Sequence, residues 1–208
     1  MVATEKIFIS NDENTLEAEI FQSNLGKNKP ITLIFHPHPQ YGGNMYNNVV
    51  SGVFNKLIEN NYSCLRFNFR GIGNSTGSHS NGTGELSDVQ ACIAFLIKEG
   101  YERILLCGYS YGAAIGCSAV NYSDKIIGFV SIAFPWGFMG IYKQKTHTSK
   151  PKLFIQGKRD QVAHFDQFQA NYNSYSDPKK SLILDTDHFY WGYEDKVAEE
   201  VLKFLNNF

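Results

Sequence analysis

The segment Leu105-Leu106-Cys107-Gly108-Tyr109-Ser110-Tyr111-Gly112-Ala113 sets a serine between two glycines at Gly-x-Ser-x-Gly spacing. An apolar run precedes the serine and small residues follow it, so Ser110 falls on a strand-to-helix turn. A turn that sharp tolerates only small neighbours, which Gly108 and Gly112 supply. The helix opening after Ser110 directs free N–H groups and its positive dipole end toward the hydroxyl. A serine hydroxyl is a weak nucleophile and needs a base. His188 is the sole histidine beyond Phe165, and it follows the strand-like run Ser181–Asp185. The acid that orients such a base comes from a separate loop. Leu153–Gly157 reads as a strand and a glycine turn, and Asp160 lies just past it. Asp185 and Asp187 are rivals, but they sit beside His188 in sequence. Ser110, Asp160 and His188 are therefore the expected catalytic residues, and the chemistry is nucleophilic acyl transfer.

A tetrahedral oxyanion needs two N–H donors. The backbone N–H of Tyr111 is one. The run His36-Pro37-His38-Pro39-Gln40-Tyr41-Gly42-Gly43 closes an apolar strand and is the expected source of the other. Pro37 and Pro39 have no N–H, so the reading favours His38, with Gln40 or Tyr41 as alternatives. His36 and His38 also have the spacing of a metal-ligand pair, but the sequence offers no matching cluster. No metal and no cofactor are expected. Arg70–Gly77 carries glycines at G-x-G-x-x-x-G, one residue off a dinucleotide fingerprint and with no prompt apolar helix after it, so it reads as a special loop near the site. Ala133–Tyr142 follows another strand and is aromatic. Its Phe134, Trp136, Phe138 and Met139, together with Tyr41, are the expected substrate-binding residues.

These positions need a scaffold. Lys6–Ser10 and Thr15–Gln22 read as a hairpin around an Asn-Asp-Glu-Asn turn. Beyond residue 30, apolar strands alternate with helical stripes. The strands are Ile31–Phe35, Ser63–Phe69, Arg103–Gly108, Lys125–Ala133, Lys152–Gln156 and Ser181–Asp185. The helices are marked by Val49–Ile58, Leu86–Leu96, Tyr111–Val120, Phe165–Tyr175 and Val197–Leu205. That alternation is an α/β fold with a mostly parallel sheet, and ligands bind such sheets beyond the carboxyl ends of the strands. Each expected catalytic residue lies just past a strand.

The chain has 208 residues, a formal net charge of −1 and 19% charged residues. One domain, residues 1–208, is expected. The charge balance gives no reason to expect nucleic acid. The 43% hydrophobic and 14% aromatic content excludes a disordered chain. No apolar run reaches the length of a membrane span. The first residues lack a secretory pattern, so a cytoplasmic location is expected and the four Asn-x-Ser/Thr sequons carry no meaning. Cys64, Cys92, Cys107 and Cys117 lie in apolar segments and read as buried, reduced thiols.

With these residues assembled, the chain resembles the α/β-hydrolase superfamily. It is most similar to small, cap-less, serine-esterase or dienelactone-hydrolase-like members with an H-P-H-P…G-G first loop. The resemblance rests on His36–Gly43, Phe67–Gly77, Gly108–Gly112, Gly157–Val162 and Asp187–His188. It implies Ser110 as nucleophile, Asp160 as acid and His188 as base, in the family's chain order. Many relatives have His-Gly where this chain has His-Pro, which leaves the second oxyanion donor open. The expected activity is cleavage of a carboxylic ester or thioester of a small or acyl-type substrate. An acyl-protein or acyl-CoA thioesterase, or a small peptidase, would use the same residues. A non-catalytic scaffold of the same fold is the reading from another class. The short stretch before Lys152 leaves no room for a cap, so the pocket should be shallow and open unless a second copy, in a homodimer, covers it.

Overall fold

A computed structural model describes residues 4–12 and 14–208. Eight strands form one sheet: β1 (Glu5–Asn11), β2 (Asn14–Phe21), β3 (Ile31–Phe35), β4 (Cys64–Phe67), β5 (Ile104–Tyr109), β6 (Ile126–Ile132), β7 (Lys152–Gly157) and β8 (Lys179–Leu184). Their spatial order is β1-β2-β4-β3-β5-β6-β7-β8. β1 and β2 pair antiparallel, and β2 joins β4 antiparallel. From β4 to β8 every pairing is parallel. The central strands β3 and β5 are buried at every position. Their largely apolar sequences follow from that, because a parallel strand is covered on both faces.

The helices are α1 (Asn48–Glu59), α2 (Thr83–Lys98), α3 (Tyr111–Cys117), α4 (Gly140–Lys145), α5 (Phe165–Tyr172) and α6 (Glu194–Leu205). One face of the sheet is covered by α1 and α6, whose stripes Val49, Val53, Phe54 and Leu57, and Val197, Val201 and Leu205, share a core. The other face is covered by α2 to α5, with Val89, Cys92, Leu96, Ala113, Ile115, Tyr142 and Phe168 in a second core. The Asn47 side chain caps α1 by accepting from the Val49 N–H at 3.1 Å. In α3, small residues let the helix lie directly on β3. A Cβ at Gly116 would come within 2.1 Å of the Phe35 ring.

Two elements differ from the sequence expectation. The stretch read as a helix from Tyr111 to Val120 tightens after Cys117, where Ala119 and Val120 donate to carbonyls three residues back. The short helix α4 carries no apolar stripe and buries Tyr142 alone. The four cysteines are free and buried. No helix among the described residues is long and apolar enough to cross a membrane.

Candidate active site

Ser110 sits between β5 and α3 with φ 55° and ψ −119°. This left-handed φ is costly for a side-chain-bearing residue, and the surrounding turn imposes it. The glycines explain how. A Cβ at Gly108 would lie 2.4 Å from the Gly112 carbonyl oxygen and 2.5 Å from Ala113 Cα. A Cβ at Gly112 would lie 2.5 Å from the His36 carbonyl oxygen. The turn is locked by Ser110 N–H donating to Ile132 O at 2.8 Å, and by Ala113 N–H donating to Ser110 O at 2.9 Å.

The hydroxyl meets a histidine from the loop after β8. Ser110 Oγ lies 2.9 Å from His188 Nε2, and His188 Nδ1 lies 2.8 Å from Asp160 Oδ2. Asp160 follows β7. Its other oxygen, Oδ1, accepts the N–H groups of Val162 and Ala163 at 2.8 and 2.7 Å. With both carboxylate oxygens accepting, His188 Nδ1 carries the proton and Nε2 is left to accept from the serine. All three residues are nearly buried, at 6%, 2% and 7% exposure for Ser110, Asp160 and His188. The rival acids are engaged elsewhere: Asp185 pairs with Arg159 at 3.0 Å, and Asp187 accepts from Phe189 N–H at 2.9 Å.

The loop after β3 folds back on itself. Tyr41 N–H and Gly43 N–H both donate to His38 O, and Gln40 N–H donates to His38 Nδ1. Among the described residues, the N–H groups of His38 and Tyr111 make no bond within the chain. The His38 ring packs 4.6 Å from that of Tyr111. His36 is fully buried and both its nitrogens are engaged: Nδ1 donates to Pro37 O at 2.7 Å, and Nε2 accepts from Phe69 N–H at 3.0 Å. Burial holds its pKa down to about 4, which keeps the ring neutral. Its position ties this loop to the one after β4.

No family model matches the chain. An α/β serine hydrolase homologue from Coxiella burnetii is 32% identical, covering 98% of this chain and 96% of the other, with a TM-score of 0.85. The chain belongs to the α/β-hydrolase superfamily. An uncharacterised protein of Rickettsia prowazekii is 30% identical over 98% of this hydrolase and 87% of its own length. A serine hydrolase without a lid, from Xanthomonas campestris, shares the fold at TM-score 0.87 and 21% identity, covering 100% and 95% of the two chains. In this hydrolase too, the segment between β6 and β7 holds only the short helix α4 and no inserted cap.

The residues expected to bind substrate divide. Phe134 and Trp136 are 2% and 5% exposed. Trp136 packs against Phe134, Phe154, Phe168 and Tyr175, with ring centroids 4.5 to 6.3 Å away. Both rings belong to the core under α2 to α5. Tyr41 and Phe138 are 87% and 73% exposed, and Met139 is half-buried. Two further aromatics, which sequence reasoning passed over, lie just past His188: Phe189 and Trp191, 55% and 70% exposed. Their signal was proximity to His188 in a loop that otherwise turns tightly.

Proposed function

We propose that this hydrolase is a serine esterase or thioesterase working through an acyl-enzyme, as a single domain over residues 1–208. The observation that carries this reading is the hydrogen-bond chain from Ser110 Oγ through His188 to Asp160. His188 Nε2 takes the hydroxyl proton as Ser110 Oγ attacks the substrate carbonyl carbon. Asp160 fixes the imidazole and stabilises its charged form. The oxyanion is held by the backbone N–H groups of Tyr111 and His38, which have no partner among the described residues. Gln40 and Tyr41 are the weaker alternatives because both spend their N–H on His38. The imidazolium returns the proton to the leaving oxygen or sulfur, and water activated by the same histidine then releases the acid.

The net charge of −1 and the exposed Tyr41, Phe138, Phe189 and Trp191 on strand-end loops favour a neutral substrate with an apolar acyl or aryl group. The substrate is a small molecule, with no nucleic acid, metal or cofactor in the reaction. A fluorophosphonate probe tests the nucleophile. The expected result is stoichiometric labelling of the wild type and none of Ser110→Ala. Folded wild type that resists the probe supports the scaffold reading instead. A screen of p-nitrophenyl esters and thioesters of increasing chain length then defines the acyl preference.

A further inference from the structure

The two variable positions of Gly108-Tyr109-Ser110-Tyr111-Gly112 are both tyrosines, and they serve opposite faces of the sheet. Tyr111 belongs to the core under α2 to α5, and Tyr109 to the core under α1 and α6. Tyr109 is 3% exposed, so its hydroxyl needs a partner inside the protein. That partner is the carbonyl oxygen of His188, which accepts at 2.6 Å. The bond spans 79 positions in sequence. The Tyr109 ring also lies against the imidazole, with centroids 5.6 Å apart and planes 34° apart. Tyr190, two residues past His188 and at φ 56°, packs edge-on against the same ring at 6.1 Å.

From this we propose that Tyr109 is a positioning residue: its hydroxyl ties the turn that carries Ser110 to the backbone of the loop that carries His188. The inference rests on the reading of Ser110 and His188 as nucleophile and base. The physical case is that the two reacting groups come from different loops. Loops are the mobile parts of a fold, and the other ties of this one run to β7, the loop after it and α1, not to the nucleophile. Its other hydrogen bonds to neighbouring elements near the base are Tyr190 OH donating to Ile155 O at 3.3 Å, His188 Nδ1 donating to Asp160 Oδ2 at 2.8 Å and, nearer the surface, Asn48 Nδ2 donating to Phe189 O at 2.9 Å; none of these reaches the turn that carries Ser110. Tyr109 fixes the carbonyl of the base residue itself, from the residue next to the nucleophile. The two reacting groups thereby share one short direct link beside the longer path through β7 and the sheet. Displacement of a reacting group by about 1 Å costs on the order of 100-fold in rate. Loss of one of several ties should give a fraction of that.

The test compares Tyr109→Phe with Tyr175→Phe. Each removes one hydroxyl from a buried hydrogen bond and keeps the ring. The Tyr175 bond, to Thr146 Oγ1 at 2.7 Å, lies in the core under α2 to α5 and away from the base. Turnover of p-nitrophenyl acetate is measured per active site titrated with a fluorophosphonate, so unfolded molecules drop out of the rate. For Tyr109→Phe, kcat and the second-order labelling rate should both fall about tenfold, with KM within about twofold. Tyr175→Phe should lose comparable thermal stability and keep kcat within about twofold. A Tyr109→Phe enzyme that labels and turns over at the wild-type rate overturns the inference, as does an equal loss of kcat in Tyr175→Phe. Ser110→Ala, run alongside, separates the two readings. If it remains active, the nucleophile is misassigned. If it is dead while Tyr109→Phe is fully active, only the positioning role is lost.

Discussion

His36 makes the fold acid-labile in a window that carboxylates do not reach. Its ring is fully buried, its Nε2 must stay unprotonated to accept from Phe69 N–H, and burial holds its pKa near 4. In the unfolded chain the same group titrates near 6.5. Above 6.5 the ring is neutral in both states, and its full contribution to stability is present. Below 6.5 the unfolded chain takes up a proton that the folded protein refuses, so stability falls as pH falls toward 4. The gap from 6.5 to about 4, at about 1.36 kcal/mol per pH unit, amounts to about 3 kcal/mol. Glu17, Glu19 and Glu85, each held below the usual carboxylate value of 4.5, add their losses only beneath that value. His38, whose pKa is lowered by burial and by His79, adds in the same direction. Urea unfolding followed by circular dichroism at pH 7.5 and pH 4.5 should therefore differ by about 3 kcal/mol in the wild type. His36→Phe leaves the Phe69 N–H unpaired and should be about 1–3 kcal/mol less stable at pH 7.5, yet lose most of the acid slope, keeping only the smaller part from His38 and the carboxylates. Wild-type protein equally stable at both, or a variant that keeps the full acid slope, would refute the reasoning. Because His36 bridges the loops after β3 and β4, hydrolysis should decline over the same window.

Gly108→Ala drives a Cβ to 2.4 Å from backbone atoms that cannot yield; a loss of about 3 kcal/mol or more is expected, read as a lower Tm or insoluble protein. Asp160→Asn keeps the acceptor for Val162 and Ala163 but removes the charge and fixes the wrong imidazole tautomer; kcat should drop about 10³-fold or more with little change in KM. Trp136→Ala empties a core site and should cost about 3–5 kcal/mol by denaturant titration. Phe138→Ala should leave Tm unchanged and raise KM for long acyl or aryl esters more than for acetyl esters. If the effects of the Trp136 and Phe138 substitutions are exchanged, the division between core and mouth drawn above is wrong.

Much of the scaffold is legible in the sequence because burial writes itself into composition. Ile31–Phe35 is read end to end, since a two-sided strand bounded by Pro30 and His36 carries a single polar residue, Thr32, to blur it. The helix α4 leaves no such trace: it begins on Gly140 just after Gly137, and a single side chain is buried. Ser110, Asp160 and His188 are legible because each is a reactive type placed just past a strand. Phe134 and Trp136 are not, because aromatic character says that a ring will pack and not against which partner. Tyr109 is invisible for a different reason. Its partner is a backbone carbonyl, which every residue has, and only the folded path brings it there.

The order of strands carries a further consequence. β8 ends the sheet and is held on one side only, by β7, while β5 is gripped by β3 and β6. Its residues Lys179–Leu184 are also the most exposed of the parallel strands. Resistance to local opening is therefore graded across the sheet, high at the serine and low at the strand that leads to the histidine. Fraying of this margin would part His188 from Ser110 while the centre stays folded. The proposed chemistry would then have a melting point of its own, below that of the fold, and the protein would fall silent before it fell apart.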